Sequence, residues 1–197
     1  VAALSTENRS EISILDFGGG LGFDFVSVAQ GVVERGGVAY HVVDNATICA
    51  LGSDMFRDDS RISFHDSLPD EMDDVDIVHL GSSLHYVDDW RSVLARLAGY
   101  RPHYFVLTDL PAGDIPTYAT AQNYYESKIP CWFFDVHQIL DQMASLSFKL
   151  LLKSRYLEHR QDNFPDKFRL GHSCNLLFAA DAESSRARDD VRMSAAI

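Results

Sequence analysis

The 197-residue sequence lacks four things whose absence narrows its function: a basic stripe, paired cysteines, a long apolar run and a phosphate-gripping lysine. With 17 Lys and Arg against 29 Asp and Glu, the formal net charge is −12, so the cationic surface that nucleic acid requires is missing. No RNA or DNA substrate is expected. Cys49, Cys131 and Cys174 lie far apart and form no Cys-x-x-Cys pair, which removes a zinc site or a disulfide framework; no metal is expected. Three reduced thiols in or near the core fit a cytoplasmic location. No apolar stretch reaches transmembrane length and no signal-peptide pattern is present, so membrane insertion is not expected. The length suits one domain with a sizeable core, and the acidic residues that gather between Asp54 and Asp89 read as a solvated face.

What is present begins with Ile14-Leu15-Asp16-Phe17-Gly18-Gly19-Gly20-Leu21-Gly22, an apolar strand running into a carboxylate and a glycine-dense turn. Without Cβ atoms such a turn lets a ligand touch backbone, and the helix after it offers free N–H groups. Spacing decides between ligands. The dinucleotide fingerprint needs glycine at its sixth position, where this chain has Phe23, and a P-loop needs Gly-Lys-Ser/Thr. The remaining pattern, Asp-x-Gly-x-Gly-x-Gly, places a carboxylate where it would repel phosphate and suit a cation. S-adenosylmethionine is such a ligand, and a tight ligand-free turn is the plain alternative.

Apolar runs then recur at the spacing of alternating strands and helices. Ser13 to Asp16, Ala39 to Asp44, Ile62 to His65, Asp76 to Leu80 and Tyr104 to Thr108 read as strands. Between them lie helical faces at Phe25, Ala29, Val32 and Val33, ended by Gly36-Gly37, then Ile48 to Phe56, then Trp90, Val93, Leu94 and Leu97 with Asp88 as cap. This alternation calls for a doubly wound parallel sheet with ligands at the C-terminal strand ends. The second half changes style. A loop rich in proline and aromatics spans 110–134, then come a helix (Val136, Ile139, Leu140, Met143) and two strands, Phe148 to Ser154 and Ser173 to Ala180. With no helix between them, those strands suggest an antiparallel pair closing the sheet edge. One domain over 1–180 is therefore expected, followed by a 181–197 tail that is a surface helix or a flexible end.

Asp44, at the end of strand 2, can accept from both ribose hydroxyls, or cap the next helix. Asp66, after strand 3, can accept from an adenine amine, or serve as a turn residue. The strand-4 segment ends in Gly81-Ser82-Ser83-Leu84-His85-Tyr86, where a reacting methyl would lie. There His85 is a candidate base, with packing at a loop junction as its alternative; Tyr86 and Asp109 are the neighbouring polar candidates. Within 110–134, Tyr118, Gln122 and Tyr125 suit a pocket for a small or sugar-like acceptor, and packing of an insertion explains the same residues.

In order along the chain, the Asp16 to Gly22 turn, Asp44, Asp66 and the Asp76 to Tyr86 segment resemble the class I S-adenosylmethionine-dependent methyltransferases over roughly Ile12 to Ala180. More narrowly, Leu15 to Gly22, Thr120-Ala-Gln122 and Pro130-Cys-Trp-Phe133 are similar to methyltransferases of bacterial surface-polysaccharide gene clusters. The resemblance implies a Rossmann-like seven-stranded α/β sheet, order 3-2-1-4-5-7-6, with the last strand antiparallel. It implies S-adenosylmethionine as cofactor, held by Asp16, Gly18, Gly19, Gly20, Gly22, Asp44, Asp66 and Ser82, with methyl transfer to an oxygen or nitrogen. Relatives often carry covering helices ahead of strand 1, where this sequence has about a dozen residues. The lid is then expected from the 110–134 insertion, a partner subunit in a homodimer or a preceding segment. A non-catalytic binding or scaffold protein and a nicotinamide-dependent dehydrogenase are the rival classes, the latter disfavoured by Phe23.

Overall fold

A computed structural model describes residues 11–32, 37–72, 75–158 and 161–181. The expected tail beyond Asp181, the helix-face residue Val33 and the stop at Gly36 lie outside them. Among these residues ten strands and four α-helices follow in chain order: β1 (Glu11–Phe17), α1 (Phe23–Val32), β2 (Gly37–Val43), α2 (Ala46–Met55), β3 (Ile62–His65), β4 (Ile77–Gly81), α3 (Trp90–Gly99), β5 (Tyr104–Leu110), β6 (Ala112–Gly113), β7 (Tyr118–Tyr124), β8 (Ser127–Asp135), α4 (Val136–Ser145), β9 (Phe148–Glu158) and β10 (His172–Ala180). Seven of the strands form one sheet in the order β3-β2-β1-β4-β5-β10-β9. Pairing is parallel from β3 to β5 and antiparallel on both sides of β10. This is the expected seven-stranded order, with the last strand among the described residues running against the rest.

The sheet is covered by helices on both sides because its inner strands are apolar on both faces. Leu15 of β1 belongs to one core with Trp90, Leu94 and Leu97 of α3 and Ile139 and Met143 of α4. Ile14, one residue earlier and on the opposite face, packs with Phe25 and Ala29 of α1. Each buried leucine of α3 recurs at helical spacing, and truncating one to alanine costs about 2–5 kcal/mol in such cores. Helix starts are set by short polar side chains. Asn45 accepts from the Ile48 N–H at 3.2 Å, Asp89 from Ser92 at 3.2 Å and Asp135 from His137 at 2.9 Å. One sequence expectation is corrected here, the cap of α3 being Asp89 and not Asp88, and the alternative of Asp44 as the cap of α2 falls away because Asn45 takes that place. Asp88 instead receives the Trp132 indole N–H at 3.3 Å.

The larger correction concerns 110–134, which the sequence presents as a loop. It holds the short strand β6 and an antiparallel hairpin, β7 against β8, with Tyr118 opposite Phe133 and Tyr124 opposite Ser127. β8 packs over the 3₁₀ turn Leu84–Tyr86 that follows β4. The aromatic segment is therefore a flap fixed over the strand-4 loop. At the far side of the sheet β9 is an edge strand with Leu151 57 % and Leu157 52 % exposed. Among the described residues no helix is long and apolar enough to cross a membrane.

Candidate cofactor and methyl-transfer site

The order of the strands brings the tips of β2, β1 and β4 side by side, and the glycine turn fills the gap between them. Gly18, Gly20 and Gly22 have positive φ (72, 58 and 81°), which L side chains rarely adopt. Three of the four glycines also face close neighbours, Gly22 with Ile62 Cδ1 2.7 Å from where its Cβ would be. A Cβ on Gly18 would stand 2.4 Å from that of Ser83, and one on Gly19 would stand 2.4 Å from Asp16 Oδ2. At Gly20 such a Cβ meets nothing within 4 Å, so the turn is open on that side. An open, backbone-lined concavity is the shape a nucleoside cradle needs.

Three polar bonds tie this turn to its surroundings. The Gly18 N–H donates to the Val43 carbonyl at 2.8 Å, the Gly20 N–H donates to Asp44 Oδ2 at 3.0 Å, and Ser83 Oγ donates to the Phe17 carbonyl at 2.7 Å. Asp44 is half-buried, and its other oxygen accepts from the Asn45 backbone at 2.7 Å. It thus buttresses the turn and keeps lone pairs for a ligand hydroxyl. Beyond it, Ala46, Cys49, Ala50, Phe64, His65 and Asp66 line an open groove of about 460 Å³. Its lining mixes Ala46, Ala50 and Phe64 with Ser53, His65 and Ser67, and an exposed carboxylate, Asp66, stands among them, a combination that suits a purine and its amine.

No protein-family model and no curated protein matches this sequence. Solved structures do match its shape. An S-adenosylmethionine-dependent methyltransferase of Methanosarcina mazei superposes with a TM-score of 0.64 at 12 % identity, over 87 % of this chain and 93 % of that one. One from Mesorhizobium loti gives 0.61 at 14 %, over 90 % and 94 %. The 1,6-didemethyltoxoflavin N1-methyltransferase of Burkholderia thailandensis, solved with 1,6-didemethyltoxoflavin and S-adenosylhomocysteine, gives 0.64 at 18 %, over 91 % and 75 %. The fold is that of the S-adenosylmethionine-dependent methyltransferases.

Within this methyltransferase fold the residues singled out by the sequence fall into three groups. Gly18, Gly19, Gly20, Gly22, Asp44 and Asp66 stand at the turn and groove. Asp16 lies against the underside of the turn at Gly19. It is 1 % exposed, and its oxygens accept from the Tyr40 hydroxyl at 2.7 Å and the His79 Nδ1 at 2.9 Å. Buried and doubly bonded, Asp16 stands beneath the turn. Ser82 and Asp109 are bonded to each other, Oγ to Oδ2 at 2.6 Å, and both have left-handed backbone (φ 49 and 51°). Asp109 Oδ1 also accepts from Ser173 at 2.6 Å. Both Asp109 oxygens are therefore engaged in joining strand tips, which is a positioning arrangement and not that of a free base.

The third group surrounds the strand-4 turn. His85 is 6 % exposed, with its ring 4.1 Å from that of Tyr86. Tyr86 is 40 % exposed, and its hydroxyl donates to Gln122 Oε1 at 3.0 Å. Burial raises the Tyr86 pKa, as do the nearby Cys131, Tyr124 and Asp109, against the lowering effect of Gln122. At neutral pH it is a hydrogen-bond donor. Gln122 thus joins the flap to the site, whereas Tyr118 and Tyr125 do not. Tyr118 stacks on Phe133 at 5.2 Å and donates to the Phe168 carbonyl at 2.7 Å, inside a small core. Tyr125 lies at the hairpin turn, 92 % exposed. Sequence reasoning missed Ser83, Tyr40, His79 and Thr108; the last three are polar residues inside otherwise apolar strands.

Proposed function

We propose that the protein is an S-adenosylmethionine-dependent methyltransferase acting on an oxygen or nitrogen of a small or sugar-like molecule. The observation that carries this reading is the Gly20 N–H to Asp44 bond at 3.0 Å, which joins an open glycine turn to a carboxylate at the point where the strand order reverses. Asp44 would hold the ribose, the turn's backbone the amino-acid part, and Asp66 with the groove wall the adenine. Once bound, this cofactor supplies a methyl group on a positively charged sulfur, whose departure as a neutral thioether needs little help from the protein. The chain's own contribution is alignment and exclusion of water. The flap covers the strand-4 turn, and Gln122, whose Oε1 takes the Tyr86 hydroxyl proton, offers an acceptor its amide N–H donors. A poorly ionised acceptor hydroxyl also needs its proton removed, and His85 beside Tyr86 is the group proposed to take it.

The sugar-like acceptor class rests on the similarity of Leu15 to Gly22, Thr120 to Gln122 and Pro130 to Phe133 to methyltransferases of bacterial surface-polysaccharide gene clusters. A cytoplasmic setting belongs to the same proposal and is supported by three free, buried cysteines. The test is to incubate the protein with S-adenosylmethionine and a panel of hydroxylated and aminated sugars or small heterocycles, and to follow S-adenosylhomocysteine. Acceptor-dependent release supports transfer. Tight cofactor binding without release from any acceptor favours the non-catalytic binding protein.

A further inference from the structure

A polar row crosses the sheet just below the glycine turn, on the face covered by α1. Tyr40 of β2 donates to Asp16 of β1 at 2.7 Å, Asp16 meets His79 Nδ1 of β4 at 2.9 Å, and His79 Nε2 meets Thr108 Oγ1 of β5 at 3.0 Å. Four adjacent strands thus share one chain of hydrogen bonds in an otherwise apolar layer with Ile14, Phe25 and Ile77. Its centre lies against the cofactor turn. Asp16 Oδ2 stands 2.4 Å from where a Gly19 Cβ would be, and His79 Cε1 stands 2.9 Å from where a Gly81 Cβ would be.

We propose that His79 is a proton-carrying counter-ion to Asp16, a positioning residue whose charge state sets the electrostatic field beneath the turn and so the preference for cationic methyl donor over neutral product. The inference rests on the methyltransferase reading given above. Donor and product differ by one positive charge at sulfur, so they report directly on that field. With His79 protonated, the Asp16–His79 pair is neutral overall. With His79 neutral, the Asp16 carboxylate is left uncompensated under the turn and favours the sulfonium.

The groups that face His79 are few. Asp16 comes from β1, Tyr40 lies beyond it on β2, Thr108 comes from β5, and Asp24 comes from the first turn of α1. Asp16, Asp24 and His79 each have an ionisable-group atom within 4.8 Å of the others'. Burial opposes a proton on His79, but the hydrogen bond to Asp16 and the charges of Asp16 and Asp24 outweigh it and raise its pKa. The Tyr40 pKa is raised too, by burial and by Asp16, so Tyr40 stays a donor throughout. Stabilisation from protonated His79 is complete below its ordinary pKa of about 6.5 and is lost as pH climbs through the raised value.

The test is calorimetric titration of the whole protein with S-adenosylmethionine and with S-adenosylhomocysteine between about pH 5.5 and pH 8.5, for the parent and for His79→Gln. Glutamine keeps a donor toward Asp16 and cannot titrate. In the parent, the affinity ratio of donor to product should rise about 5-fold across the His79 titration, from Coulomb attraction at an effective dielectric near 20. In His79→Gln the ratio should stay at the parent's high-pH value; the ligands' own amino groups titrate alike in both proteins and cancel in the comparison. An identical pH profile in the two proteins overturns the proposal. Failure of both ligands to bind at any pH overturns the methyltransferase reading, and with it this inference. Should His79→Gln fail to fold, NMR titration of the His79 ring in the unliganded parent decides: a pKa at or below the ordinary value overturns the proposal, and a raised one that falls in Asp16→Asn supports it.

Discussion

At the residue scale, one carboxylate carries two tasks. Asp44 accepts the Gly20 N–H and, in the proposed function, also holds the ribose, so its loss would remove both the tie to the turn and the ligand contacts. Asp44→Ala is expected to weaken S-adenosylhomocysteine binding by about 10-fold or more, from loss of charge-assisted hydrogen bonds, with Asp44→Asn retaining part of the affinity. Wild-type-like titration of the alanine variant would remove the ribose assignment. His85 is a separate case, buried against Tyr86. His85→Ala should lower turnover more than cofactor affinity, and unchanged turnover with a working acceptor would exclude it as the proton holder.

These residues were legible in the sequence to different degrees, for a physical reason. The glycine turn and Asp44 are read from one contiguous motif and the residue ending the next strand, since local spacing alone determines where they go. Tyr40, His79 and Thr108 lie on three strands whose adjacency depends on the sheet order, and no short window contains them. Their signal is a polar side chain in each strand at a position pointing into the apolar layer, as with His79 in Ile77-Val78-His79-Leu80. The burial of Asp16 was not legible, because the charge pattern of the motif says nothing of which way its side chain points.

At the scale of elements, the hairpin β7–β8 is the side on which the proposed function places the acceptor. The sequence presented it as an aromatic loop because Pro111, Pro116 and Pro130 interrupt the apolar pattern, and only pairing across the hairpin satisfies the backbone of Tyr118 to Tyr124. Trp132 to Asp88 and Tyr86 to Gln122 fasten it to the strand-4 turn. Gln122→Leu and Tyr86→Phe should each raise KM for the acceptor about 5-fold or more, the scale of one neutral hydrogen bond, while leaving the Kd for S-adenosylhomocysteine unchanged. Equal losses in cofactor and acceptor binding would show instead that the flap supports the cofactor half. The exact agreement of β3 with its expected bounds, against the longer β1, β5 and β9, has a similar cause. Sheet pairing extends strands past the point where their apolar alternation ends.

At the scale of the whole molecule, the seven-stranded order follows from the alternation of strands and helices with right-handed crossovers, and α1 and α2 fall on one face with α3 and α4 on the other. The exposed edge at β9, with Leu150, Leu151, Leu152, Tyr156 and Leu157 all at the surface, is the feature that supports association of two copies. Sedimentation velocity is expected to show a dimer that the double variant Leu151→Lys, Leu157→Lys loses. A parent that sediments as a monomer at tens of micromolar would contradict this. The central claim concerns the cradle formed by the tips of β1, β2 and β4, and titration calorimetry with S-adenosylhomocysteine and with NAD in parallel tests it most directly. Saturable one-to-one binding of the first, and none of the second, is the predicted result; binding of NAD alone, or of neither, would contradict it.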